Sequence, residues 1–153
     1  MNEMPKIKAK AKLFENVRSI VDNSRTHSVV CDLSAAAGGS DSGPTALELA
    51  LMALADCGVT IFADVCKKSN IEPGKVDVVV EAEKSPDSPT ITGVTMKVNV
   101  CAKARKELLE GAWRRTEAKL FFQQPILFPY LQPKFLQVNL FSTCCFRYLA
   151  DFS

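Results

Sequence analysis

The chain has 153 residues, 47% of them hydrophobic and 24% charged, with a formal net charge of +2. That length suits one ordinary domain with a real core, and so small a charge gives no reason to expect a nucleic-acid partner. Six cysteines at irregular spacing (Cys31, Cys57, Cys66, Cys101, Cys144, Cys145), in a chain too long to need staples, suggest reduced thiols rather than a disulfide framework. No CxxC pair occurs and His27 is the only histidine, which argues against zinc. The start of the chain has no apolar leader core, so a cytoplasmic protein is expected.

Lys6 to Leu13 alternates lysine with apolar residues, the pattern of a half-exposed strand. Val17 to Asp22 is also β-compatible. Asp22, Asn23 and Ser24 are turn formers, and Ser28 to Leu33 reads as a third strand. An N-terminal antiparallel meander is expected. Ala35 to Gly43 is a loop with Gly38-Gly39 at its centre.

Pro44 then opens a long helix, at a position where its missing N–H costs nothing. Asp41 or Ser42 is expected to accept from the free amides there, and Glu48 to favour the positive end of the helix dipole. The body, Ala46 to Val65, is apolar nearly all round, which means a buried core helix or a membrane span. Glu48, Asp56 and Asp64 inside it would be costly in lipid, so a buried central helix is expected and no membrane partner. Lys67 to Asn70 close it.

Val76 to Glu83 and Thr90 to Ala102 form a predicted hairpin. Lys103 to Lys119 is an amphipathic helix with Leu108, Leu109, Ala112 and Trp113 as its apolar stripe. After Ala118 the character changes: seven of nine phenylalanines lie in the last 33 residues, with Pro125, Pro129 and Pro133 forbidding a regular helix. Lys134 to Phe141 reads as a strand. The shift is explained either by a divergent C-terminus over 119–153 or by a reading-frame change near Lys119.

The string GGSDSGPTALELALMALADC, from Gly38 to Cys57, resembles the OsmC/Ohr family of thiol peroxidases. The resemblance covers roughly Asn16 to Ala118. It implies one α+β domain over 1–153: an N-terminal meander, a long buried helix, a hairpin and a second helix, in an intertwined homodimer. It implies reduction of organic hydroperoxides, with Cys57 as the peroxide-attacking thiol, an arginine (Arg25, or else Arg18) activating it, and Glu48 in support. No metal or organic cofactor is implied, only an external dithiol reductant. The family's second, resolving cysteine corresponds to Leu120 here, in TEAKLFF. The departure opens a second reading, a binder of a small apolar or electrophilic ligand, or a sensor oxidised at Cys57. Cys31, Cys101 or the Cys144-Cys145 pair is the available substitute for that thiol. From the residues alone, Cys57 reads as a packed core thiol, with Asp56 beside it disfavouring a thiolate, and it is the resemblance that turns the reading to a reactive site. His27 reads as a surface residue.

Overall fold

The computed structural model describes residues 6–85 and 91–120, and the backbone of 136–141. The fold is α+β, and the chain divides into two compact units at Ala50/Leu51.

The first unit is a meander of three antiparallel strands, β1 (Lys10–Glu15), β2 (Arg18–Asp22) and β3 (Ser28–Cys31), in that spatial order. Asn16, at φ 45°, takes the left-handed conformation that the two-residue β1–β2 turn needs, and Ser24, at φ 57°, does so in the β2–β3 turn. The first strand starts at Lys10 rather than Lys6. Lys10 already pairs with Asp22, the last residue of β2, so residues before it have no ladder to join. In this unit only Cys31 and Asp32 are buried among the described residues. Leu13, Phe14, Val17, Ile20, Val29 and Val30 all stand exposed.

The long helix α1 (Ala46–Lys68) begins in this unit and runs through the next. It starts two residues later than the proline suggests. Leu49 N–H donates to the Thr45 carbonyl, which makes Thr45 the N-cap and leaves Pro44 just outside. Its other end closes as a Schellman motif: Ile71 N–H donates to the Cys66 carbonyl and Asn70 N–H to that of Lys67. Asn70 takes the left-handed conformation there, at φ 54°.

In the second unit β4 (Lys75–Lys84) and β5 (Ile91–Cys101) form the expected hairpin, paired from Lys75↔Cys101 to Lys84↔Ile91. A second helix α2 (Lys106–Glu117) follows, then β6 (Leu136–Phe141), which lies parallel to β5. The sheet order is β4-β5-β6, so α2 lies within the crossover that parallel neighbours require. Lys134 and the cysteine pair Cys144-Cys145 lie outside the described residues, as do 121–135 and 142–153.

One face of the hairpin carries Val76, Val78 and Val80 opposite Val100, Val98 and Met96. Onto this core pack Leu54, Gly58, Phe62, Val65 and Cys66 of α1. At Gly58 helix and sheet come close: a Cβ there would sit 3.3 Å from Val78 Cγ1 and 3.6 Å from the Met96 sulfur. From α2 come Leu109, Ala112, Trp113 and Thr116, with the Phe62 and Trp113 rings 5.8 Å apart and tilted by 47°.

Two expectations change. By length and composition α1 is apolar enough to cross a membrane, yet only one stripe of it is buried and Met52 is more than half exposed. A single sheet face covers a single helix face, and the remaining apolar positions are left half-buried or, as at Met52 and Ala53, exposed. Leu108 is exposed, not core. The α2 stripe runs 109, 112, 113, 116, and Leu108 lies about 100° off it.

Phe62→Ala should cost about 3–5 kcal/mol, the usual range for emptying an aromatic site in a packed core. Leu108→Ala should change stability by less than about 0.5 kcal/mol. Urea denaturation of the two variants checks both.

Candidate functional site

Cys57 precedes Gly58 on α1. Because Gly58 faces the sheet, Cys57 is turned to the margin of the same core, where it packs against the cluster but stays half-exposed. Its thiol is pushed above its ordinary value, first by burial and then by the adjacent Asp56 carboxylate. Both effects favour the protonated thiol.

The other described cysteines differ. Cys31 and Cys66 are buried. Burial pushes the Cys66 thiol up, with Arg115 opposing. Cys101 is half-buried on β5, and all four described cysteines are reduced thiols. Leu120 is buried in the core cluster that Cys57 packs against. The position that the resemblance gives to a second thiol is thus filled by apolar packing. No group of three metal-binding side chains occurs among the described residues.

Glu48 sits at the third position of α1 and completes a capping box with Thr45. Its Oε2 accepts from Thr45 N–H at 2.7 Å and from the Thr45 hydroxyl at 2.9 Å, while its own N–H donates to Thr45 Oγ1 at 3.3 Å. These bonds, led by the Thr45 N–H, hold the Glu48 carboxyl below its ordinary value. Glu48 makes no ion pair with an arginine among the described residues.

The expected caps, Asp41 and Ser42, do not serve α1. The loop before the helix is organised instead by Asp32, a residue that sequence reasoning passed over. Its carboxylate is buried, with 1% of the side chain exposed. It accepts from the N–H groups of Leu33 at 2.8 Å, Ser40 at 3.1 Å and Ser42 at 3.2 Å. It also accepts from Arg18 Nε at 3.3 Å. Burial raises its pKa, but the N–H groups of Ser42, Ser40 and Leu33 together with Arg18 outweigh that and bring it down to about 2. The available signal was an acidic residue ending an apolar strand, followed by a glycine-serine loop rich in free amides. Gly39 is obligatory here, since a Cβ would lie 2.0 Å from the Leu33 carbonyl oxygen. Asn16 Nδ2 ties the same loop down through the Gly38 carbonyl at 2.8 Å.

Arg18, on β2, is half-buried. Its Nη1 donates to Glu15 at 2.8 Å and its guanidinium carbon lies 5.8 Å from the centre of the Phe14 ring. Arg25 lies in the exposed β2–β3 turn, its N–H on Asn23 Oδ1 at 3.0 Å. His27 closes that turn, its Nδ1 3.0 Å from Asn23 Nδ2. Arg18, Arg25 and Glu48 therefore belong to the first unit and Cys57 to the second.

The profile of the OsmC-like protein family matches residues 39–124, more than half of the chain. Among solved structures the chain is similar to an OsmC-like protein from Mycoplasma pneumoniae, at 12% identity and a TM-score of 0.74, covering 91% of this chain and 98% of that one. It is similar to the organic hydroperoxide resistance protein OhrB of Bacillus subtilis, at 16% identity and a TM-score of 0.59, covering 91% and 100%. An organic hydroperoxide resistance protein of Legionella pneumophila gives 12% identity and a TM-score of 0.60, covering 91% and 97%. At these identities the likeness speaks for the fold. No curated protein matches the sequence.

Thr45→Ala should cost about 0.5–2 kcal/mol through loss of the cap, read by denaturant unfolding. The Asp32 pKa is depressed in the folded protein, so its stabilisation is complete above the ordinary value of 3.8 and is lost as pH falls through about 2. The stability gap between wild type and Asp32→Asn should be full at pH 5 and close as pH falls across that window, which thermal melts at a series of pH values will read.

Proposed function

Because the chain belongs to the OsmC-like protein family, we propose that it reduces organic hydroperoxides through Cys57. The Cys57 thiolate attacks the outer peroxide oxygen. The O–O bond breaks, the alkoxide leaves and takes up a proton as the alcohol, and Cys57 remains as a sulfenic acid. An external dithiol returns it to the thiol, becoming a disulfide and releasing water. The scheme uses no metal or organic cofactor.

The observation that carries this reading is the place of Cys57. It is a half-buried free thiol packed against the edge of an apolar core that includes Leu54, Phe62 and Met96, where a greasy hydroperoxide is at home. Burial and Asp56 both disfavour its thiolate, so the reading requires a cation from outside this helix. We assign that cation to Arg18 of the partner subunit in a homodimer. Arg18 is half-buried and fixed on a strand, whereas Arg25 sits in an exposed turn. The exposed apolar side chains of the meander, and Met52 on α1, supply surface for a second copy to cover. Glu48 supports the site by fixing the start of α1. The cytoplasm, where thiol reductants are kept reduced, suits this chemistry.

Leu120 favours a second reading. With a buried leucine where the family's second thiol would stand, Cys57 oxidised once has no intramolecular disulfide partner at that position. The protein would then act as an oxidation sensor or small-ligand binder.

Consumption of cumene hydroperoxide with dithiothreitol as reductant tests the first reading. Wild type should turn over many equivalents and Cys57→Ser should fall to the uncatalysed rate; equal rates for the two would sink it. A wild type that consumes only about two equivalents and stops, with Cys57 recovered as sulfinic acid, selects the second. Asp56→Asn should bring the Cys57 thiol pKa down, so that iodoacetamide labels it faster at pH 8 than in wild type.

A further inference from the structure

We propose that Asp32 is the positioning residue for the site arginine, holding Arg18 and the 38–43 loop as one piece. The proposal rests on the reading that Arg18 stabilises the Cys57 thiolate.

A carboxylate with 1% of its side chain exposed is unusual unless its oxygens are satisfied. Asp32 is satisfied by three backbone N–H groups, two of them from the loop, at Ser40 and Ser42. The loop therefore cannot move without stripping bonds from a buried charge. Its glycines permit the approach. At Gly39 a Cβ would meet Asp32 Oδ1 at 2.8 Å, and at Gly43 one would meet the Val30 carbonyl oxygen at 2.2 Å.

Onto this fixed carboxylate Arg18 donates through Nε. Glu15 takes Nη1, and the Phe14 ring lies near the guanidinium. Hydrogen bonds at two separate nitrogens restrain the plane of a guanidinium. The third, Nη2, has no partner among the described residues, so the grip fixes the direction in which one N–H pair is offered. An anion is the natural acceptor for a charged donor held that way. The Asp32 charge itself works against a thiolate, so a field effect and a positioning effect have opposite signs.

The test is the pH profile of Cys57 alkylation by iodoacetamide, read peptide by peptide in the full-length protein. With Arg18 misplaced, the Cys57 midpoint rises, and each unit slows labelling at neutral pH about tenfold. Asp32→Asn should therefore slow labelling, and should add nothing in an Arg18→Ala background. If Asp32→Asn leaves the profile unchanged or speeds labelling while Arg18→Ala slows it, the proposal fails and the role of Arg18 stands. If Arg18→Ala leaves the profile unchanged, the reading of Arg18 falls and the proposal with it. Should Asp32→Asn not fold, Arg18→Lys decides, because it keeps the charge but not the two-point grip. Labelling as slow as in Arg18→Ala supports positioning, and labelling at the wild-type rate overturns it.

Discussion

The close approach at Gly58 governs the second unit. Because that position carries no side chain, α1 settles against Val78 and Met96, and Leu54, Phe62 and Val65 follow on the same stripe. Phe62 then reaches Trp113 and ties α2 to the same core. Cys57 inherits its place from this contact. One residue before Gly58 and about 100° around the helix, it is neither sealed in, as Cys66 is, nor fully in water.

That place is poor for a thiolate. Burial and the Asp56 charge act together against ionisation, and the cluster that Cys57 packs against is apolar. Both effects favour the protonated thiol, so the proposed attack on peroxide calls for a positive group brought to it. The first unit contains an arginine, half-buried and hydrogen-bonded to a carboxylate that three amides hold in place. The proposed chemistry thus depends on two local constraints, a missing side chain at Gly58 and a buried charge at Asp32.

How far the sequence disclosed this varies with the range of the interactions. The meander, the long helix and the hairpin were readable because each leaves a periodic trace: alternation over Lys6–Leu13 and Thr90–Ala102, and a continuous apolar run over Ala46–Val65. The helix start was misplaced by two residues because Pro44 is the louder signal, while Thr45 and Glu48 form the bond that matters. Leu108 looked like core because a stripe read from composition does not say which edge the sheet meets. The strand at Leu136–Phe141 was legible, but not its parallel pairing with β5, which depends on where the crossover returns. Asp32 was missed for the same reason. Its partners lie up to 14 residues away, and in sequence it is only an aspartate between a cysteine and a leucine. Cys57 itself was found through the pattern around it, not through any property of its own.

The central claim is that Cys57 reacts with peroxide. Its direct test is to add one equivalent of an organic hydroperoxide to the reduced protein with dimedone present, and to map the sulfenic acid adduct by mass spectrometry. The account predicts the adduct on Cys57, with Cys31 and Cys66 unlabelled in their buried sites. An adduct on Cys101 alone, or none on Cys57 while the hydroperoxide is consumed, would contradict it.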